Sequence, residues 1–232
     1  MRTTEELTVR YEDAQLAVIS KPAGLVVHPG AGTAGLTLLD ALAGRWPELG
    51  GLDGERAGLL HRLDKDTSGL LLVAKTEAAK ANLSAQFATR AVSKRYQAVV
   101  HGRPAHATGA IDAPITRHHA DRKRMAVRPD GKSAQTHYEV VSSAGGFSLL
   151  DVRITTGRTH QIRVHLAALG HPIVGDQKYG RQTPPDQELD RQWLHALELG
   201  FTHPSSGEPI TVTDELPPEL LEFLESRGLD EG

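Results

Sequence analysis

Cysteine is absent from the 232-residue chain. Disulfide frameworks, thiol nucleophiles and zinc sites built on thiolates are thereby excluded. The lack fits a cytoplasmic protein, since disulfides accumulate in oxidising compartments. Long apolar runs are lacking too. The longest, around Leu70 to Ala74, suits a buried strand and falls far short of the ~20 residues of a membrane span. The opening Met-Arg-Thr-Thr-Glu-Glu-Leu-Thr has no apolar centre of a signal peptide. Net charge is small, at -3, which argues mildly against a nucleic-acid binder because phosphate contacts supply much of that affinity.

What is present is 39% hydrophobic residues, enough for a real core in a chain short enough for one domain. Charge is also unevenly placed. Arg117, His118, His119, Arg122, Lys123, Arg124 and Arg128 form a basic stretch, and acidic residues gather from Asp214 to Glu231. Distribution bears on partners more than the sum does, although both clusters also read simply as solvated surface.

Patterning places a strand at Leu16 to Ile19, a turn at Lys21-Pro22-Ala23-Gly24, and a short strand at Leu25 to His28. A helix is expected over Thr37 to Arg45, where Leu38, Leu39 and Leu42 share a side. Gly69 to Ala74 reads as a fully buried strand, and Glu77 to Arg90 as a helix capped by Thr76. Tyr96 to Val100 is a strand, and Gly145-Gly146 joins strands at His137 to Val141 and Phe147 to Thr155. A helix over Thr159 to Leu169 stops at Gly170 and Pro172. Strands at Trp193 to Phe201 and Ile210 to Val212 precede a terminal helix from Pro217 to Arg227. Hairpin-like strand pairs with helices between them imply a mixed α/β or α+β fold, not a doubly wound one.

Four segments could carry chemistry. Gly30-Ala31-Gly32-Thr33-Ala34-Gly35 has dinucleotide-turn spacing, with Asp53 and Glu55 near the distance of a ribose-binding acid. Pro29 interrupts the preceding strand and no series of βα units follows, so a structural loop is favoured over a nicotinamide or flavin site. The 12 histidines have poor metal spacing: His160 and His165 are five apart, and His118-His119 lies among cations. No metal is expected. His61 to Gly69 is a polar run of alternating charge leading into the buried strand, where a scaffold can hold side chains toward a cleft. Residue chemistry alone does not choose Asp64 over Asp66 there. In Thr156 to Leu166 glycine turns the chain into a helix on which Ile162, Leu166 and Leu169 can face the core. Arg163 lies about 100° from Ile162, placed to reach inward to a carboxylate.

Together these segments resemble the RluA family of pseudouridine synthases, over nearly the whole chain. Lys21 to His28 is similar to the family's first motif, His61 to Lys75 to its catalytic motif, and Lys94-Arg95-Tyr96 to its K-x-Y element. Gly157 to Leu166 and His171 to Asp176 are similar to later motifs. Val26 to Gly32 and Ile111 to Ile115 look closest to the RluD-like branch, which modifies large-subunit ribosomal RNA. The resemblance implies a mixed, largely antiparallel central sheet flanked by helices, with an RNA-binding cleft. It implies one catalytic domain over residues 1–232, without the small N-terminal RNA-binding domain common in that branch. It implies uridine isomerisation with no cofactor, with Asp64 as the essential carboxylate, Tyr96 stacked on the uracil and Arg163 paired with the carboxylate. Arg62, His61, Ile162, Lys94 and Thr67 are implied in substrate binding. The expected partner is RNA, 23S ribosomal RNA in the first instance, engaged at a flipped loop or bulge uridine by a cytoplasmic monomer. Transfer RNA as substrate, or a non-catalytic RNA-binding module, are the alternatives.

Overall fold

The apolar run Leu16–Ile19 is wholly buried, as is every residue of Ser68–Ala74, and these two strands organise the N-terminal half. The computed structural model describes residues 7–27, 35–52 and 58–230. In chain order the elements are β1 (Thr8–Glu12), β2 (Leu16–Lys21), α1 (Leu38–Arg45), a 3-10 turn (Pro47–Gly51), β3 (Ser68–Ala74), α2 (Glu77–Ala88), β4 (Ser93–His101) and β5 (Thr108–Asp112). Then follow β6 (Ile115–Arg117), β7 (Met125–Val127), β8 (Gln135–Ala144), β9 (Phe147–Ile154), α3 (Gln161–Ala168), α4 (Pro184–Gln187), β10 (Leu194–Thr202), β11 (Pro209–Thr213) and α5 (Pro218–Arg227). The fold is mixed α+β with largely antiparallel strand pairing. The chain folds as two units, Met1–Ser93 with Glu198–Asp214, and Lys94–Leu197 with Glu215–Gly232.

In the first unit β2 pairs antiparallel with both β1 and β3, and β11 pairs with the end of β10. The two-residue period of a strand sends Leu16, Val18, Leu70, Leu72 and Ala74 to one side. They pack with Ala79 and Leu83 of α2 and with Leu199, Phe201 and Val212. Thr76 caps α2 by accepting the Ala79 N–H, as its sequence predicts. Thr37 and Asp40 form a capping box on α1.

Leu25 to Val27 departs from expectation, for it forms no strand. Its carbonyls serve other donors: Leu25 O accepts from the Lys21 ammonium and Val26 O from Leu38 N–H at the start of α1. Thr8–Glu12, not foreseen as a separate strand, is split from β2 by Asp13, whose carboxylate accepts the Gln15 and Leu16 N–H groups and turns the chain. Of the glycine-rich turn only Gly35 is described. Gly30, Gly32, Asp53, Glu55 and His28 lie outside the described residues.

In the second unit β4, β9, β8 and β5 pair antiparallel in that order. Gly145 and Gly146, at φ 59° and 84°, form the expected turn between β8 and β9. The basic stretch, unassigned in the sequence, is a separate hairpin: β6 and β7 pair with Arg117 opposite Met125. Its base is closed by reciprocal Ile115–Lys132 backbone bonds, and a Cβ on Gly131 would lie 2.6 Å from Ile115 N. α3 begins at Gln161 because His160, at φ 55°, takes the left-handed conformation. Leu169 does not face the core; it is 41% exposed, while Gln161 to Leu166 are all buried.

Candidate active site

The Asp64 segment is a short loop entering β3. Thr67 N–H donates to Asp64 O at 3.2 Å, closing a tight turn. Below it lies Lys21, whose side chain is fully buried. Its ammonium donates to Pro22 O at 2.7 Å, Lys65 O at 2.8 Å and Leu25 O at 3.2 Å. A buried cation is tolerated only where such acceptors replace its water. Gly24, at φ 83°, adds its own N–H to Lys65 O at 3.0 Å. The turn of the first motif is thus fastened to the turn that carries Asp64. Sequence reading passed over Lys21, because lysines are mostly surface residues.

Around that turn, Asp64 is half-buried, Thr67 buried and Arg62 exposed. His61 Nε2 accepts the Leu72 N–H at 3.0 Å, and its ring meets Phe87 with centroids 5.1 Å apart. Accepting through Nε2 keeps the proton on Nδ1. This histidine therefore braces the start of the loop against β3.

In the second unit Tyr96 is buried on β4, opposite Val152 of β9. Lys94 is half-buried, and burial holds its ammonium below the usual lysine range. Arg95 is bonded to Asp151. Ile162 and Arg163 are both 5% exposed. Arg163 Nε donates to Asp176 Oδ2 at 2.7 Å and Nη2 to Oδ1 at 2.9 Å, a bidentate grip. Oδ1 also accepts the Lys178 and Tyr179 N–H groups. Burial alone would raise the Asp176 carboxyl, but the Arg163 hydrogen bonds and charge with the two backbone donors outweigh it and lower the pKa. Asp176 is thus a carboxylate partner that sequence reasoning did not assign to Arg163. Its one signal was its place at the end of a matched motif. Asp64 belongs to the first unit, and Tyr96, Lys94, Ile162 and Arg163 to the second.

His160, which precedes α3, and His165 within it both have protein partners. His160 Nδ1 lies 2.7 Å from Tyr179 Oη. His165, fully buried, lies between Thr136 Oγ1 and the Ala113 carbonyl. Among the described residues no group of three or more His, Asp or Glu is placed to hold a metal ion. No helix among them is long and apolar enough to cross a membrane.

Both motif-bearing segments rest on buried charges held by directed hydrogen bonds in a mixed α+β scaffold, and comparison with known proteins says which class this is. A sequence model of the RNA pseudouridylate synthase family matches residues 15–168, and the chain belongs to that family. It is an RNA-modifying isomerase, converting uridine to pseudouridine. Ribosomal large subunit pseudouridine synthase D of Zymomonas mobilis is 45% identical over 226 residues, spanning 92% of this chain and 70% of that one. The Yersinia pestis protein of the same name is 43% identical, spanning 97% and 71%. Among solved structures, human RNA pseudouridylate synthase domain containing 1 superposes with a TM-score of 0.75 at 29% identity, over 94% of this chain and 86% of that one.

Proposed function

We propose that the chain isomerises selected uridines of large-subunit ribosomal RNA, with Asp64 as the carboxylate that opens the glycosidic bond. The observation that carries this reading is the support under Asp64, a tight turn whose Lys65 carbonyl is held by the buried Lys21 ammonium and the Gly24 N–H, while the same ammonium grips the Pro22 and Leu25 carbonyls of the neighbouring turn. A nucleophile or base must be held to within a fraction of an ångström, and rigid backbone supplies that. The choice of ribosomal RNA is supported by relatives named for the ribosomal large subunit.

The reaction breaks the bond between the sugar's anomeric carbon and uracil N1, turns the base, and rejoins it through C5. The C5 proton is lost and N1 gains one, so the sum is an isomerisation. Asp64, ionised, attacks the anomeric carbon or removes a sugar proton; both routes use the same carboxylate. Arg163, gripped bidentately by Asp176 and keeping that carboxylate ionised, is held in fixed orientation to supply positive charge to the reaction. Tyr96 stacks on the uracil and assists removal of the C5 proton. Arg62 and Lys94 meet phosphate, and His61, Thr67 and Ile162 each contribute to binding the substrate. The uridine must leave its stack, at a cost of roughly a few kcal/mol, which favours loop and bulge positions. The enzyme acts as a cytoplasmic monomer.

Asp64→Asn tests the assignment. The variant should bind RNA normally yet release no tritium from RNA labelled at uracil C5. Normal release would remove Asp64 from the reaction. Pseudouridine maps of cells with and without the protein name the substrate: a missing site in 23S RNA is expected, and one confined to transfer RNA would overturn the ribosomal assignment.

A further inference from the structure

Tyr179 stands where three parts of the second unit meet. Its phenol oxygen accepts the Met125 N–H of β7 at 2.7 Å. The same oxygen lies 2.7 Å from His160 Nδ1. The tyrosine ring centroid is 5.2 Å from the Arg163 guanidinium carbon and 5.0 Å from that of Arg124, within cation–π range. The Tyr179 N–H is bonded to the Asp176 oxygen that also receives Arg163 Nη2. One side chain therefore touches Arg163, the left-handed residue that starts its helix, and the hairpin bearing the basic stretch.

That hairpin needs an anchor. Its strands are three residues each, and an isolated two-stranded ribbon is at best marginally stable. Arg117, His118, His119, Arg122, Lys123 and Arg124 are all exposed on it. A flexible cationic loop would bind phosphate without fixing where the RNA sits. The same loop tied to Arg163 would do both.

We propose that Tyr179 is a positioning residue that registers RNA held by the β6–β7 hairpin with Arg163. The proposal rests on the reading that Arg163 serves the isomerisation. Hairpin cations supply phosphate affinity. The Met125–Tyr179 bond, the His160 bond and the ring contact with Arg163 transmit the hairpin's position to the helix that carries the arginine.

Tyr179→Phe keeps the ring and removes both hydroxyl contacts. It is assayed beside Arg122→Ala/Lys123→Ala and the combined variant, on a tritium-labelled transcript of large-subunit ribosomal RNA. Loss of the hydroxyl contacts should lower kcat/KM about tenfold, on the order of one net hydrogen bond, in protein that stays folded by circular dichroism. The hairpin pair should show a similar loss, and the combined variant should lose about ten- to twentyfold. A product near a hundredfold means independent effects and overturns the coupling. So does unchanged kcat/KM in folded Tyr179→Phe. Should that variant not fold, exchange of the Met125 amide in the unsubstituted protein decides. Slowing by about fivefold or more on adding the transcript is expected, and unchanged exchange overturns the proposal. Arg163→Ala separates the layers. Full turnover there removes the role of Arg163 itself, whereas its loss beside a fully active Tyr179→Phe removes only the tyrosine.

Discussion

Replacing Lys21 with methionine tests whether the buried ammonium supports the Asp64 turn. Methionine keeps much of the lysine stem's length and apolar volume but cannot donate to Pro22, Leu25 or Lys65. Each hydrogen bond involving a charged group contributes about 1.5–3 kcal/mol. Against that loss stands the several kcal/mol no longer spent on burying an ammonium. The difference is a destabilisation of about 2–4 kcal/mol, too large for an exposed lysine, whose removal typically costs within about 0.5 kcal/mol. With a urea slope of about 2–3 kcal/mol/M, the midpoint for the first unit should fall by about 1–2 M. Turnover of the folded fraction should fall with it, since Lys65 is the residue after Asp64. Gly24 N–H still donates to Lys65 O, so the turn should loosen without unfolding, and faster exchange of the Gly24 amide would report it. A midpoint unchanged within error, with normal turnover, would show that the three contacts support nothing.

Two further outcomes test the second unit. Burial holds the His165 imidazole below its usual pKa. Below about pH 6.5 the unfolded chain takes up this proton before the folded one does. Stability should therefore fall as pH drops through that value, level off below the folded pKa and be unaffected above it. His165→Gln should remove that part of the slope in unfolding measured between pH 7.5 and 5; an unchanged slope would refute it. Gly131→Ala would put a methyl 2.6 Å from the Ile115 backbone, forcing the base of the hairpin apart at about 1–3 kcal/mol. A fall in melting temperature of about 3–8 °C with weaker RNA binding is expected, and an alanine variant identical to the parent in both would contradict the close approach.

The elements legible in the sequence are those whose signal is local. Leu16–Ile19 and Leu70–Ala74 have no exposed residue, so their composition announces them. Thr76 and the Gly145-Gly146 pair mark a helix start and a hairpin through chemistry within a few residues. β1 and β5, by contrast, have no buried residue; β1 is a strand through its pairing with β2 across the Asp13 turn, and β5 through β8, a partner distant in sequence. The basic stretch is a hairpin for the same reason, since its closure depends on Lys132 and Gly131 meeting Ile115. Leu25 to Val27 has strand composition but spends its carbonyls on a lysine and a helix start. Local preference was overridden there by donors whose acceptors could not be foreseen.

For the site the division is between exposed and buried charge. Arg62 and the hairpin cations can be read from composition as solvated, phosphate-seeking groups, and the structure leaves them exposed. Lys21 and Asp176 look no different in sequence, and only the helical position of Arg163 marks it as able to reach inward, yet all three are buried. A charge taken from water must be met by directed partners or it destabilises the fold, so burial converts a charge from a source of affinity into a fixed point of geometry. Lys21 fixes the turn that carries Asp64, and Asp176 fixes Arg163. Removing Asp176 would leave a guanidinium buried without this bidentate partner, whereas removing an exposed cation leaves only water behind. The motif residues therefore depend on neighbours of the same charge types, distinguished only by burial.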